Sequence, residues 1–236
     1  YIFDVDGTLT PSRDKIDEEF LKWFLEFNKW HNVYLVTGSD RHKTEEQIGK
    51  ELYEKVNAVY NSSGNTKHKK GVCVFNTKDF ELPEVVHKFL VKKMISSKWE
   101  PKTGLHFDSR PGLLNFSIVG RNASKTERKK YVKYDTSTNE RELISNKFNK
   151  LFSKKFNIVS QVAGETGLDI IEIGKDKQQV LTDFAEHDVM FLGDMMQVGG
   201  NDTPLANAIK ERNNPNDECI WVKGYTHTWS VLKDIT

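Results

Sequence analysis

Phe3-Asp4-Val5-Asp6-Gly7-Thr8-Leu9-Thr10 is the stretch on which the reading of this chain turns. The run from Tyr1 to Val5 is short and apolar and breaks at Asp6-Gly7-Thr8, the profile of a buried strand ending in a turn. Working outward, residues from about Asp17 to Trp30 place Phe20, Leu21, Phe24, Leu25 and Phe27 at helical spacing. A second apolar strand runs to Val36 and closes at Thr37-Gly38-Ser39-Asp40. Asp40 or Ser39 can cap the helix that follows, whose early Glu45 and Glu46 suit its positive end. Ala58-Val59-Tyr60-Asn61 reads as a third strand before Ser62-Ser63-Gly64-Asn65. Strands alternating with helices predict an α/β fold with a Rossmann-like parallel sheet flanked by helices.

The middle of the chain changes character. A helix is expected around Pro83 to Ser97, then a hairpin over Leu105 to Val119 broken at Arg110-Pro111-Gly112. Leu114, Phe116 and Ile118 alternate with Asn115 and Ser117, as in a half-buried strand. A polar helix near Asn139 to Lys154 leads to a second hairpin, Asn157 to Val162 and Leu168 to Ile173. These pieces predict an inserted α+β domain, an antiparallel sheet with helices on one side, over about residues 76–172. Residues 1–75 and 173–236 form the parallel core, which resumes with a helix after Lys177 and the strands Val189 to Leu192 and Cys219 to Val222.

The chain has 236 residues, 37% hydrophobic and 29% charged, a balance suited to a folded globular protein rather than a disordered one. No apolar stretch approaches the roughly 18 residues that span a bilayer. The opening Tyr1-Ile2-Phe3-Asp4 does not read as a secretory leader. A net charge of +1 gives no support to nucleic acid as a partner. The basic runs Lys67-His68-Lys69-Lys70 and Lys125 to Lys133 are read as solvated faces. Cys73 and Cys219 are expected to be buried thiols of a reducing, cytoplasmic compartment.

The chemistry collects at strand ends, where ligands bind in open α/β sheets. Asp4 and Asp6 are one residue apart and would face opposite sides of an extended strand, but a turn eased by Gly7 can bring both to one site. Their repulsion calls for a cation, and hard oxygen ligands beside phosphate suit Mg2+. A carboxylate held there can attack phosphorus, which makes Asp4 the candidate nucleophile and Asp6 the candidate acid/base. The plain alternative is an Asx-turn. Thr37, Gly38 and Ser39 offer hydroxyl and amide donors to a phosphoryl oxygen, with either hydroxyl eligible and a helix N-cap as the ordinary use. Lys177 in Gly174-Lys175-Asp176-Lys177 can neutralise the phosphoryl group, and Gly193-Asp194 with Gly199-Gly200-Asn201-Asp202 complete a metal site. Four strand ends carrying these parts point to phosphoryl transfer. In the middle domain, Arg110, Arg121 and Arg128 could grip a distal anion, or lie scattered on the surface.

Asp-x-Asp-x-Thr, the hydroxyl on the second strand, the lysine, and Gly-Asp followed by Gly-Gly-Asn-Asp resemble the four motifs of haloacid dehalogenase superfamily phosphotransferases. Asp4 to Pro11 with Arg13 and Lys15-Ile16-Asp17, Gly38-Ser39-Asp40, and Arg110-x-Gly112-x-Leu114-Asn115-x-Ser117-x-x-Gly120-Arg121 with Glu127-Arg128 are similar to the eukaryotic-type phosphomannomutases. That resemblance implies a haloacid dehalogenase core with an inserted cap and an aspartyl-phosphate on Asp4. It implies Mg2+ held by Asp4, the Asp6 carbonyl and Asp194, near Asp202. Arg13, Arg110, Asn115, Arg121, Arg128 and Asp169 would hold a small phosphorylated sugar. It also implies interconversion of mannose 6-phosphate and mannose 1-phosphate, a hexose 1,6-bisphosphate activator, and a homodimer through the cap. Gly167 stands where that family has serine, and Glu165, Thr166 and Lys175 also depart from it. The alternatives are a sugar-phosphate phosphatase on the same machinery and, from another class, a non-catalytic binding protein.

Overall fold

A buried apolar strand without alternation needs cover on both faces. The computed structural model, which describes residues 1–78 and 80–235, meets that need with crossover helices. β1 (Ile2–Phe3) is followed by α1 (Glu18–Trp30), β2 (Tyr34–Val36), α2 (Arg41–Ile48), α3 (Lys50–Lys55) and β3 (Ala58–Asn61). Asp17 caps α1 by accepting from the amides of Glu19 and Phe20, and the helix buries Phe20, Phe24 and Phe27. Asp40 rather than Ser39 caps α2, through the Lys43 amide. The chain then makes a hairpin of β4 (Thr66–Lys69) and β5 (Val72–Asn76). Its turn places Lys70 and Gly71 at φ 49° and 74°, the twist that a two-residue hairpin loop requires. The expected solvated basic face is therefore a strand that turns His68 inward and Lys69 outward.

Lys78–Ile173 forms a second compact unit. It contains α4 (Glu84–Ser96), β6 (Phe107–Arg110), β7 (Leu113–Phe116), α5 (Lys125–Thr138), α6 (Glu140–Phe156), β8 (Ile158–Ala163) and β9 (Gly167–Glu172). Its antiparallel sheet has the order β6-β7-β9-β8. Leu114, Phe116, Leu168 and Ile170 share a core with Val86 and Leu90 of α4, Tyr131 of α5, and Ile144, Phe148 and Phe152 of α6. The Lys125 to Lys133 run, expected as a solvated face, lies within α5. A capping box between Ser124 and Glu127 starts that helix.

After Ile173 the chain returns to the first unit, residues 1–77 with 174–236. The helix expected after Lys177 is a 3₁₀ helix over Lys177–Phe184. β10 (Met190–Gly193), α7 (Thr203–Glu211), β11 (Glu218–Trp221) and α8 (Tyr225–Ile235) follow. The sheet order is β11-β10-β1-β2-β3-β4-β5, with the first five strands parallel and the hairpin antiparallel at one edge. Phe20, Phe24, Leu52 and Leu232 cover one face of the sheet; Val180, Phe184, Leu205 and Ile209 cover the other. Cys73 is exposed, contrary to expectation, because β5 is the uncovered edge strand; Cys219 is half-buried. Among the described residues, no helix is long and apolar enough to cross a membrane. β1 lies between β10 and β2, so the chain leaves it in one direction and later returns on the other. Its carboxyl end is the topological switch point, where such sheets open a crevice.

Candidate active site

Strand register places the acidic residues. Phe3 is paired with Leu192 and with Leu35, and the Asp4 amide donates to the Leu192 carbonyl at 2.9 Å. Asp4 thus sits on the last rung of the central strand. Beyond it the amides of Thr8, Leu9 and Thr10 all donate to the Val5 carbonyl, and Gly7 takes φ 81°. A β-carbon on Gly7 would lie 2.2 Å from Asp194 Oδ2, so this loop passes the Asp194 carboxylate only because residue 7 is glycine. Carboxylate oxygens of Asp4, Asp194 and Asp202 lie within 4.8 Å of one another. Lys177, fully buried, donates to Asp4 Oδ1 at 2.5 Å and to Asp202 Oδ1 at 2.7 Å. The second oxygen of Asp202 accepts from the Met195 amide at 3.0 Å. Asp4 Oδ2 is buried and has no hydrogen-bond partner among the described residues.

Charge explains what this group accepts. Burial pushes the Asp4 carboxyl well above the usual carboxylate range, against the pull of Lys177, and Asp202 and Asp194 add to the upward push. Burial likewise raises Asp194 to about 6, with Asp202 reinforcing it. Burial alone would lower Lys177, but the carboxylates of Asp202 and Asp4 outweigh it and hold the ammonium above its ordinary value. Three carboxyl groups facing one ammonium leave an excess of negative charge, and the donors are all oxygens. That set, with the unpartnered Asp4 Oδ2, fits a hard divalent cation such as Mg2+.

Asp6 is turned elsewhere. Its Oδ1 accepts from the Arg13 amide and from Gln47 Nε2, both at 2.8 Å, and Ser39 Oγ donates to its Oδ2 at 3.4 Å. Its side chain therefore stands outside the group formed by Asp4, Asp194 and Asp202. Thr37 is buried at the end of β2; its Oγ1 accepts from the Ser39 amide at 3.1 Å, and its carbonyl accepts from Ser63. Neither hydroxyl is the cap of α2. Arg13 contributes its backbone at φ 59°. Sequence reasoning missed Gln47, although a buried glutamine on the inner side of α2 is itself a signal, since such a group needs a polar partner.

The second unit gathers most of its candidates on one face of its sheet. Asp108, Asn115, Asp169 and Gln161 occupy one row across β6, β7, β9 and β8. Arg110 and Arg121 both reach Asp108 Oδ2, at 2.8 and 3.2 Å. Asn115 Nδ2 donates to Asp169 Oδ1 at 2.6 Å, and Arg121 donates to Asn115 Oδ1 at 3.3 Å. Burial raises Asp169, while Asn115, Arg110 and Arg121 act in the opposite sense. Arg128 is a brace: it donates to the carbonyls of Ala123 and Arg121 and to the Thr166 hydroxyl. Asp108 was also missed; the signal is that residues two apart on a strand share a face, which pairs it with Arg110. Gly167 has a local reason: a β-carbon there would lie 2.5 Å from Asn115 Nδ2.

Comparison with known proteins bears on both units. Solved structures similar to this chain include an IMP-nucleotidase from Plasmodium falciparum, with TM-score 0.62 and 17% identity over 99% of this chain and 67% of that one. Another is the C-terminal domain of a C. albicans trehalose-6-phosphate phosphatase, with TM-score 0.62 and 14% identity over 96% and 84%. At such identities the likeness shows the fold, a haloacid dehalogenase-type core with an inserted α+β unit. Among curated proteins, a phosphomannomutase from Spinacia oleracea is 34% identical over 209 residues, 85% of this chain and 83% of that protein. One from Arabidopsis thaliana is 31% identical over 218 residues, 89% and 87%. The family model described as eukaryotic phosphomannomutase matches residues 19–214, leaving the Asp4–Asp6 strand end and the last strand and helix outside its span. That span takes in well over half of the sequence, and this chain belongs to the eukaryotic phosphomannomutase family of enzymes.

Proposed function

We propose that this chain is a magnesium-dependent hexose-phosphate mutase that carries phosphate on Asp4 and interconverts mannose 6-phosphate and mannose 1-phosphate. The observation that carries the reading is the buried Asp4, one oxygen held by Lys177 and the other unpartnered, beside Asp194 and Asp202. Asp4, Asp194 and the Asp6 carbonyl would hold Mg2+, which when bound offsets the negative charge of the phosphoryl group and its nucleophile. Asp202, both of whose oxygens are engaged, orients Lys177. The Thr37 hydroxyl accepts from the Ser39 amide, which leaves its own proton to donate to a phosphoryl oxygen.

In the cycle, a free hydroxyl of the hexose monophosphate attacks the phosphorus carried on Asp4. The acyl P–O bond breaks, and Asp6 takes the hydroxyl proton. The bisphosphate turns end for end. Asp4 then attacks the other phosphorus, the P–O bond to the sugar breaks, and Asp6 returns its proton to the departing sugar oxygen. A hexose 1,6-bisphosphate charges Asp4 at the outset. Arg110, Arg121 and Asn115 bind the phosphate that is not being transferred, with Asp169 on a sugar hydroxyl, Arg128 bracing Arg121, and Arg13 contacting the sugar. Water must be kept out, because the acyl phosphate is open to hydrolysis.

Phosphorus NMR with Mg2+, mannose 1-phosphate and a trace of glucose 1,6-bisphosphate tests this reading. The expected result is replacement of the 1-phosphate signal by the 6-phosphate signal. Inorganic phosphate in its place would make the chain a sugar-phosphate phosphatase on the same machinery. No turnover of either kind would sink the enzymatic reading.

A further inference from the structure

Two side chains from the C-terminal segment reach the backbone of the two acidic loops. Thr228, on α8 and fully buried, donates its hydroxyl proton to the Thr8 carbonyl at 2.7 Å, two residues past Asp6. Trp221, the last residue of β11, donates its indole N–H to the Asp194 carbonyl, also at 2.7 Å. These carbonyls belong to the loops that meet where Gly7 lies against the Asp194 carboxylate.

Fold maintenance alone does not ask for either bond. β11 is already paired with β10 from Met190 to Gly193. α8 docks through Leu232 and through Tyr225 and Trp229, which pack on Phe20. The loops themselves do need restraint, because the carboxylates of Asp4, Asp194 and Asp202 repel one another across less than 5 Å. Lys177 bridges Asp4 and Asp202, and Asp202 in turn holds the Met195 amide, while the Asp194 carbonyl itself is held by Trp221. We infer that Thr228 and Trp221 are positioning residues, a clasp that holds the loop from Asp4 to Thr8 and the Asp194 loop at the spacing a divalent cation requires. Asp194 is thereby kept against Gly7 before the cation arrives, so that binding need not draw the loops together against their charge. The inference rests on the magnesium reading above and names residues that the family model does not span.

The test uses the full chain with Mn2+ alone, followed by electron paramagnetic resonance in the absence of any sugar phosphate. Thr228→Val keeps the shape and removes the hydroxyl, Thr228→Ser keeps the hydroxyl, and Trp221→Phe removes the indole N–H donor together with part of the ring while keeping an aromatic side chain. Thr228→Val and Trp221→Phe are expected to weaken Mn2+ roughly tenfold each, as loss of a hydrogen bond to a loop carbonyl would. Thr228→Ser should stay within about twofold of the wild type, and melting of the metal-free chains should differ by only a few degrees. In the mutase assay, kcat at low Mg2+ should fall and recover at high Mg2+, with KM for the sugar phosphate unchanged. Because Trp221 is 55% exposed, its variant carries the test alone if Thr228→Val does not fold. Undiminished Mn2+ affinity in Thr228→Val and Trp221→Phe, or a Thr228→Ser as weak as the valine, overturns the clasp alone. A wild-type chain that takes up no Mn2+ overturns the magnesium reading and the clasp with it.

Discussion

Lys177→Met removes the ammonium that lies between Asp4 and Asp202 while keeping most of the side-chain volume. Its contacts of 2.5 and 2.7 Å each represent a gross attraction of about 6 kcal/mol at an effective dielectric of about 20. Much of that is offset by the cost of burying the charge, so the net loss on truncation is about 3–5 kcal/mol. For a chain of this length, 1 kcal/mol moves the melting midpoint by about 2–4 °C, so the first unit should melt about 10 °C lower. The deficit must depend on pH. Burial already raises Asp4, and without Lys177 the carboxyl rises further. A carboxyl whose folded pKa exceeds its unfolded value contributes stability that is complete below the unfolded pKa and is lost as pH rises through the folded one. Scanning calorimetry in EDTA should therefore show a larger deficit near pH 8 than near pH 5. Excess Mg2+ should restore part of it. A deficit below about 2 °C near pH 8, or one equal at both pH values, would refute the argument that Lys177 neutralises Asp4.

Three further results are expected. Asp6→Asn should leave Mn2+ affinity within about twofold, since its carboxyl faces the Arg13 amide and Gln47, yet lower turnover by about 10²–10⁴; a parallel loss of both would contradict its assignment as acid/base. Gly7→Ala sets a β-carbon 2.2 Å from Asp194 Oδ2 at φ 81°, and should cut Mn2+ affinity by at least about tenfold in the same titration. With Asp194 at about 6, protons compete for the site: the Mg2+ dissociation constant should rise at least about tenfold per pH unit below that value. A flat profile across that range would rule out Asp194 as a ligand.

The strand ends were legible because a buried parallel strand reads as an unbroken apolar run, and its first polar residue marks where the chain leaves the sheet. Asp4, Thr37 and Asp194 each stand at such a break, on β1, β2 and β10. The elements that escaped notice lack that contrast. α5 buries only Tyr131 and Asp135, so its periodicity is submerged in lysines; Ser124 and Glu127, which cap it, were the readable sign. The β4–β5 hairpin was hidden for a similar reason. β5 is exposed along its whole length, and the basic strand beside it turns only the polar Thr66 and His68 inward.

Within the site, residue identity was easier to read than side-chain direction. Spacing places Asp4 and Asp6 near one another but cannot say that a loop folded onto the Val5 carbonyl swings Asp6 toward Gln47. The same holds for the arginines of the second unit. Arg110 and Arg121 meet only because β6 and the segment after β7 bring both to Asp108, a residue 13 positions before Arg121. Arg128, of the same chemical type, reaches the carbonyls of Ala123 and Arg121 and the Thr166 hydroxyl. Direction is set by turn dihedrals and by long-range register, and neither is encoded in a local pattern. An acidic motif therefore locates the candidate site, whereas the direction that each of its carboxyl groups faces is a property of one glycine turn. If that turn were rebuilt to face Asp6 inward, four carboxyl groups would share the space beside Lys177, and their mutual repulsion would disfavour the charged form of each.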